Sequence, residues 1–539
     1  MIRVDRPLRH RTPESLHAGT VSRAAWAALV ALVLWAPAPL LASPRGFIPV
    51  GDPLESELRL LDILGSAPGE ARILRPHLGL RPLQRFELQG SGAPPDSPDA
   101  ARAISFARLE RALGCDAAPW FAPHTRWRST RRLFEATAPE DQRFELSVAA
   151  EGSVLADTGE VCFASGSGLR ARLGVQTDQW LLFTNLLAGR VDRARSFADP
   201  IVANTDLVVH TEETYLACTS REGCWAAQFG RGRRHWGPGE EASLLLSKTS
   251  APFTGLSYQV HLTTFHLDFS ALSATLRQAA GEQLAAHRVE WQPQDALRLG
   301  ITETARYRAS SWQPLYAIGV IPYVLVQRLL VQDEPDSSGA LRNNIMLGLD
   351  VAWRIASGTR VYGELLLDDL SARTAQNPDK YGWQLGWEGV GLLGASRLSW
   401  GGEYTRLSRY VYTSFFGRAH QAQGGPLGFP LGPDSRCIAL RGALDLGADW
   451  QLLARASRSD KGENGLDEPF VPGSPRVAVG TFEGVVEQTR DLEAGLRWWP
   501  ASGVDLRALA GYRRIENKSH VTGRRTGHPR LTLEARLVR

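Results

Sequence analysis

Beyond residue 36 the chain has no stretch approaching the roughly 18 unbroken apolar residues of a membrane helix, which excludes a helical membrane protein. Enzyme signatures are missing too. There is no Gly-x-Ser-x-Gly elbow, no His-Glu-x-x-His and no phosphate loop. Ala164-Ser-Gly-Ser-Gly168 lacks the first glycine of an elbow and reads as a turn. Cysteine is sparse: there are five, none in a Cys-x-x-Cys pair, so no zinc site is expected. His261 and His266 stand five apart and fall on opposite faces of a strand, which argues against a shared metal. Asp333-Glu-Pro-Asp336-Ser-Ser-Gly339 offers oxygen ligands but reads as a solvated loop. No metal and no cofactor are therefore expected. Charge of one sign is lacking as well. Past residue 42 there are 56 basic and 55 acidic residues, and nothing calls for nucleic acid as a partner.

What is present points to an exported β protein. A content of 43% hydrophobic and 22% charged residues, with 52 Gly and 32 Pro, suits neither a disordered chain nor a helical membrane protein. Sixteen Trp favour membrane–water interfaces or sugar-binding surfaces. Arg3, Arg6, Arg9, Arg11 and Arg23 precede an apolar run, Ala24 to Ala36, of signal-peptide length. Pro37 and Pro39 break it, and cleavage is expected near Ala42 or Ser43. Cys218 and Cys224 bracket the loop TSREG, where a disulfide across a hairpin tip is expected. Cys115 and Cys162 could form a second, leaving Cys437; connectivity is not readable from sequence.

Residues 1–42 thus read as a signal peptide and 43–139 as a small periplasmic helical and loop region. Asp52-Pro53-Leu54-Glu55 is a helix start, Leu54, Leu58, Leu61 and Leu64 follow on one face, and Gly65 ends the helix. A second helix is expected from Ser97 to Gly114, burying Ile104, Ala107 and Leu113. From about residue 140 the period becomes two. Leu347, Leu349, Val351 and Trp353 alternate with Gly348, Asp350, Ala352 and Arg354; Leu492 to Trp498 and Val504 to Tyr512 repeat the pattern. Ten-residue strands with one apolar face, one charged face and an aromatic near an end fit lipid outside and water inside. Short turns alternate with long polar stretches such as Gln332–Arg342, His420–Ser435 and Asp460–Arg476. Residues 140–539 therefore predict an all-β fold, a transmembrane antiparallel β-barrel of about 16–18 strands in the cell outer membrane.

Three stretches resemble the capsule-assembly outer-membrane proteins, the Wzi-like family. They are PRGFIPVGDPLESELRLLDILG near the N-terminus, GRGRRHWGPGEEASLLLSKTSAPFTGLS over residues 230–257, and the barrel run from YGWQLGWEG at 381 to GGEYTRLSRYVYTSFFG at 401. The resemblance implies an 18-stranded barrel, a helical bundle on the periplasmic side, and lectin-like attachment of capsular or exopolysaccharide. One departure is the last residue, Arg539, where outer-membrane barrels usually carry an aromatic.

The basic-aromatic stretch Arg231, Arg233, Arg234, His235, Trp236 is a candidate polysaccharide site. Guanidinium groups pair bidentately with the carboxylates of acidic sugars, and a Trp face stacks on a sugar ring. Those arginines would otherwise be struts paired with acids of the wall. Tyr410, Tyr412, Phe415, Phe416 and Arg418 are loop candidates, with an interface girdle as the plainer reading. Glu364 and Asp368 share a face with Tyr362 and are expected to line lumen water. The expected protein is a non-enzymatic, monomeric barrel in outer-membrane lipid, with capsular or exopolysaccharide as partner. A porin-like channel for anionic solutes is the alternative, and an outer-membrane hydrolase the third.

Overall fold

A computed structural model describes residues 47–48, 53–65, 80–81, 83–84, 101–105, 108, 143–157, 160–163, 168–176, 180–190, 207–220, 224–333, 343–369, 378–471, 482–500 and 504–538. The expected signal peptide, the Ala164 turn, Cys115, the cysteine side chain at 162, the acidic loop after Asp333 and the rest of the second helix lie outside them. No helix among the described residues is long and apolar enough to cross a membrane.

Strands carry the fold. In chain order they are β1 (Arg143–Asp157), β2 in two pieces (Glu160–Phe163 and Gly168–Gln176), β3 (Trp180–Arg190), β4 (Leu207–Thr219), β5 (Trp225–Gly232) and β6 (Phe253–Leu262). Then come β7 (Leu267–Arg277), β8 (Glu282–Gln294), β9 (Leu297–Arg308), β10 (Asn344–Ala356), β11 (Thr359–Asp369) and β12 (Lys380–Leu393). The wall is completed by β13 (Ser396–Leu407), β14 (Ser435–Leu446), β15 (Trp450–Lys461), β16 (Glu487–Trp498), β17 (Val504–Glu516) and β18 (Arg525–Val538). Each pairs antiparallel with its sequence neighbours, and β18 pairs with β1 to close the barrel. The two pieces of β2 lie end to end along β1, opposite Val154–Asp157 and Arg143–Glu151. Among the described residues closure leaves the wall no free edge strand, the condition for backbone polar groups to sit in hydrocarbon.

The alternation read from the sequence sets the two faces. On β10, Leu347, Leu349, Val351 and Trp353 are exposed on the outer face, whereas Met346 and Ala352 are buried inside. On β11, Tyr362, Glu364, Leu366 and Asp368 all point inward and are buried. The two ends differ. The connections after β2, β4, β6, β8, β10, β12, β14 and β16 are short, and the chain enters β1 and leaves β18 at that same rim. Exposed Trp180, Trp225, Trp291, Trp353 and Trp450 ring it, a girdle at one membrane interface. The long connections gather at the opposite end.

The Cys218–Cys224 disulfide is corrected. The two sulfurs do not bridge each other. Register is the reason: Cys218 lies opposite Ala227 and Thr219 opposite Ala226, so Cys224 falls beyond the paired residues and off the position facing Cys218.

Candidate functional site

Beside β7–β13 the lumen is filled by the chain itself, whereas inward side chains of β17 and β18 such as Arg507 and Glu534 stay partly exposed. From the short-turn rim enters α1 (Pro53–Leu64), ended by Gly65 in the left-handed region at φ 67°. Ser357 Oγ donates to the Leu64 carbonyl at 2.8 Å, and Gly358 N–H to that of Ile63 at 3.0 Å, tying the helix end to the β10–β11 turn. A second helical stretch, residues 101–105 and 108, reaches the β14–β15 turn through Arg108, which donates to Asp445 at 2.6 Å. From the opposite end, the β5–β6 connection, residues 233–252, folds down into the barrel.

That connection is shaped by Trp236-Gly237-Pro238-Gly239. Gly237 has φ 138°, and a side chain there would meet Glu364 Oε1 at 2.3 Å, so only glycine lets the backbone approach the wall this closely. Glu364 accepts from Gly239 N–H at 3.1 Å and Leu244 N–H at 2.8 Å. Glu403 accepts from Glu240 N–H at 2.9 Å and from the Tyr362 hydroxyl at 2.8 Å. Asp368 accepts from Tyr412 N–H at 2.8 Å. Glu364 and Asp368, expected to line water, therefore hold loop backbone instead, because the lumen beside them is occupied. The β13–β14 connection, residues 408–434, closes over the top. Ser247 N–H donates to the Leu427 carbonyl at 2.8 Å, and the Tyr412 hydroxyl to that of Leu244 at 2.5 Å.

Plug and wall meet through buried ion pairs. Arg59 of α1 reaches Glu388 at 2.8 Å, Glu240 at 3.2 Å and the Pro238 carbonyl at 2.6 Å, so it joins helix, wall and descending loop. Asp62 takes Arg298 at 2.6 Å and Arg360 at 3.0 Å. Glu57 takes Arg397 at 3.0 Å, Arg108 at 2.9 Å and Ser105 at 2.7 Å. Burial alone would raise the Glu57 carboxyl, but Arg397 and Arg108 overcome this and hold it at about 2. Burial likewise opposes ionisation of Asp62, and Arg298 and Arg360 again prevail and lower it. A charged cavity of about 360 Å³ remains between α1 and the wall, where Arg441, Arg455 and Glu493 face Arg59 and Glu57.

The basic-aromatic candidates separate. Trp236 is 4% exposed and packs among Leu246, Phe253, Leu272 and Leu427, so no sugar can stack on it. His235 is fully buried and bonds the Gly239 carbonyl and Lys248 N–H. Both leave the candidate list as supports of the loop. Arg231 is half-buried and donates to the Thr211 carbonyl at 3.0 Å. Arg233 keeps 34% of its side chain exposed, 4.0 Å from Glu212. Arg234 is 2% exposed, and its Nε and Nη2 have no hydrogen-bond partner. Its burial pushes the guanidinium down to about 10, which Glu213 offsets only in part. Both glutamates face inward because β4 carries a bulge, Asn185 pairing with Glu213 and Leu186 with Thr211.

Among the loop candidates, Tyr412 is fully buried, stacks on His420 and is a strut. Tyr410 is half-buried, edge-on to Phe470 at 5.6 Å. Phe415 and Phe416 are exposed and meet edge to face at 5.5 Å. Arg418 is half-buried. The structure thus brings Arg231, Arg233 and Arg234 together on the β4–β5 side, whereas Tyr410, Phe415 and Arg418 share only the β13–β14 loop, Tyr410 meeting Phe470 and Phe415 meeting Phe416. Sequence reasoning missed Glu57, Arg59 and Asp62. Their signal was charge at helix positions next to the leucines, which reads equally well as a solvated face.

The model of the capsule assembly protein Wzi family matches residues 137–527. The chain belongs to that family. No curated protein matches the sequence. Among solved structures it is similar to Wzi of Escherichia coli, with 15% identity, 92% of this chain and 99% of that chain covered, and a TM-score of 0.61. That protein is an outer-membrane protein involved in group 1 capsule assembly and a carbohydrate-binding β-barrel. OccAB1 of Acinetobacter baumannii matches at 8% identity over 74% of this chain and 96% of that one, with a TM-score of 0.42. OprD of Pseudomonas aeruginosa matches at 10% identity over 74% and 95%, with a TM-score of 0.40. This Wzi-family chain is thus an outer-membrane barrel whose wall holds two helical stretches and a descending loop beneath a cap.

Proposed function

We propose that this Wzi-family barrel binds and organises capsular or exopolysaccharide at the cell surface. It would act as a monomer in outer-membrane lipid, holding glycan as a lectin does and catalysing nothing. The observation that carries this reading is the lumen occupied by the chain beside β7–β13. With α1 below, residues 233–252 in the middle and residues 408–434 above, the passage is narrowed and the barrel offers a long-loop surface, which disfavours the porin-like alternative. The carbohydrate-binding Escherichia coli barrel of the same fold supports it.

The candidate residues that remain at least partly accessible are Arg231, Arg233, Tyr410, Phe415, Phe416 and Arg418. Arg233→Ala combined with Phe415→Ala should release surface glycan while protein level and heat-modifiable gel mobility stay as in the parent. Losing one hydrogen bond from a charged donor weakens retention by about tenfold or more. Retention by the parent should also fall as salt rises, since exposed charges are screened over about 10 Å at 0.1 M. Unchanged glycan on a folded double variant would remove both residues from the site. Unchanged glycan after deletion of the whole protein would reject the function.

A further inference from the structure

Part of the barrel's outer wall is wrong for lipid, and a loop covers it. Outward positions on β7, β8 and β9 near the short-turn rim are apolar, such as Trp291 and Ile301. Towards the long-loop end the same face presents Ser273, Gln283 and Glu303, each buried although no strand lies outside them. What buries them is the β9–β10 connection, which carries α2 (Pro314–Ile318) and α3 (Tyr323–Asp333). Glu303 accepts from Tyr323 N–H at 2.7 Å and pairs with His287 at 3.2 Å. Trp312 Nε1 donates to Thr275 at 3.1 Å. Tyr307 stacks on Tyr316 at 4.7 Å.

The depth of this cover follows from register. The turn between the helices holds Gly319, in the left-handed region, where a side chain would meet Ala271 Cβ at 2.9 Å and His287 Cβ at 3.3 Å. Ala271 and His287 face each other across β7 and β8, and Tyr258, opposite Ala271, donates to the Ile318 carbonyl. β7 has 11 residues, the length that crosses a bilayer when tilted, and Ala271 is its fifth from the short-turn rim. The turn therefore sits near mid-membrane. From there the 11 residues of α3 rise about 16 Å, half of a roughly 30 Å hydrocarbon core. Outward from the barrel the pair exposes Ile318, Val320, Val324, Leu325 and Leu329, and this surface continues the apolar belt of Ile301 and Leu349. Arg328 is exposed on the same face one turn after Val324, and its long stem lets the guanidinium reach up to the headgroups.

We propose that α2 and α3 form a helical hairpin immersed in the outer leaflet, seated on the outside of the wall, with its exposed face against lipid acyl chains. This adds a lipid contact to the proposed glycan function and does not depend on it. A benzophenone-bearing phenylalanine replacing Val324 or, separately, Leu325 tests it in outer membranes. On irradiation the ketone bonds to a carbon it touches and takes that carbon's hydrogen on its oxygen. Full-length protein with unchanged heat-modifiable mobility should gain the mass of an acyl-bearing lipid at both positions. The same probe at Leu349 should do likewise, and at Phe416 should not. Lipid adducts at Leu349 but at neither hairpin position would place the hairpin in water and overturn the proposal. An adduct of twice the protein mass would make a second copy the occupant and overturn it too. If neither variant folds, the probe at Val320, which is 67% exposed in the turn, gives the same decision.

Discussion

At the scale of single residues, the informative groups are charges held inside the lumen. Glu388 holds Arg59, Arg360 and Arg441 at once, all within the lumen. Taking away one partner of a buried pair leaves an uncompensated charge and costs about 3–5 kcal/mol. Glu388→Gln should therefore lower the stability of the folded barrel by that order, read as the urea midpoint of its heat-modifiable band. Arg59→Met should cost less, because Glu388 keeps Arg360 and Arg441. Equal losses for the two variants would show that the helix contact, and not the wall pair, carries the energy.

At the scale of elements, the cap over the lumen is built on a histidine kept neutral. His420, on the β13–β14 connection, is fully buried, stacked on Tyr412 and bonded to the Leu245 carbonyl at 2.7 Å. Burial pushes its pKa down to about 4; the carbonyl opposes that and Arg306 adds to it. A base whose folded pKa lies below its unfolded value favours folding fully above the unfolded value. That contribution fades as pH falls from about 6.5 to about 4, by roughly 3 kcal/mol. Residues 408–434 should thus become protease-sensitive over that window before the strands do. His420→Gln, which keeps a donor for the carbonyl, should flatten the response. A cap equally resistant at pH 7 and pH 4.5 would contradict the linkage.

At the scale of the whole molecule, closure and filling are separate properties. The wall needs only alternating faces and paired edges, whereas the filling depends on residues far apart in sequence, such as Arg59 and Pro238 meeting at 2.6 Å. The intact protein should show no steady ion conductance in a planar bilayer. Deleting residues 239–250 should leave the barrel heat-modifiable and give it a conductance that rises with salt. Steady conductance by the intact protein would mean the plug leaks, and would restore the channel alternative.

The wall was legible in the sequence because a strand's period of two records its solvent directly. Leu347 to Trp353 against Gly348 to Arg354 states lipid on one side and lumen on the other, and the α1 start at Pro53 and stop at Gly65 are local chemistry. The three family-like stretches likewise pointed to the capsule-assembly family. Tertiary structure alone decided what each inward or outward side chain meets. Trp236 looked like a platform for sugar and is core, because its loop turns down into the lumen at Gly237. Cys218 and Cys224 looked adjacent and are separated by strand register. Glu303 looks misplaced on a lipid face until α3 covers it. Local patterning determines which way a residue points; only long-range packing determines whether water, lipid or protein is waiting there.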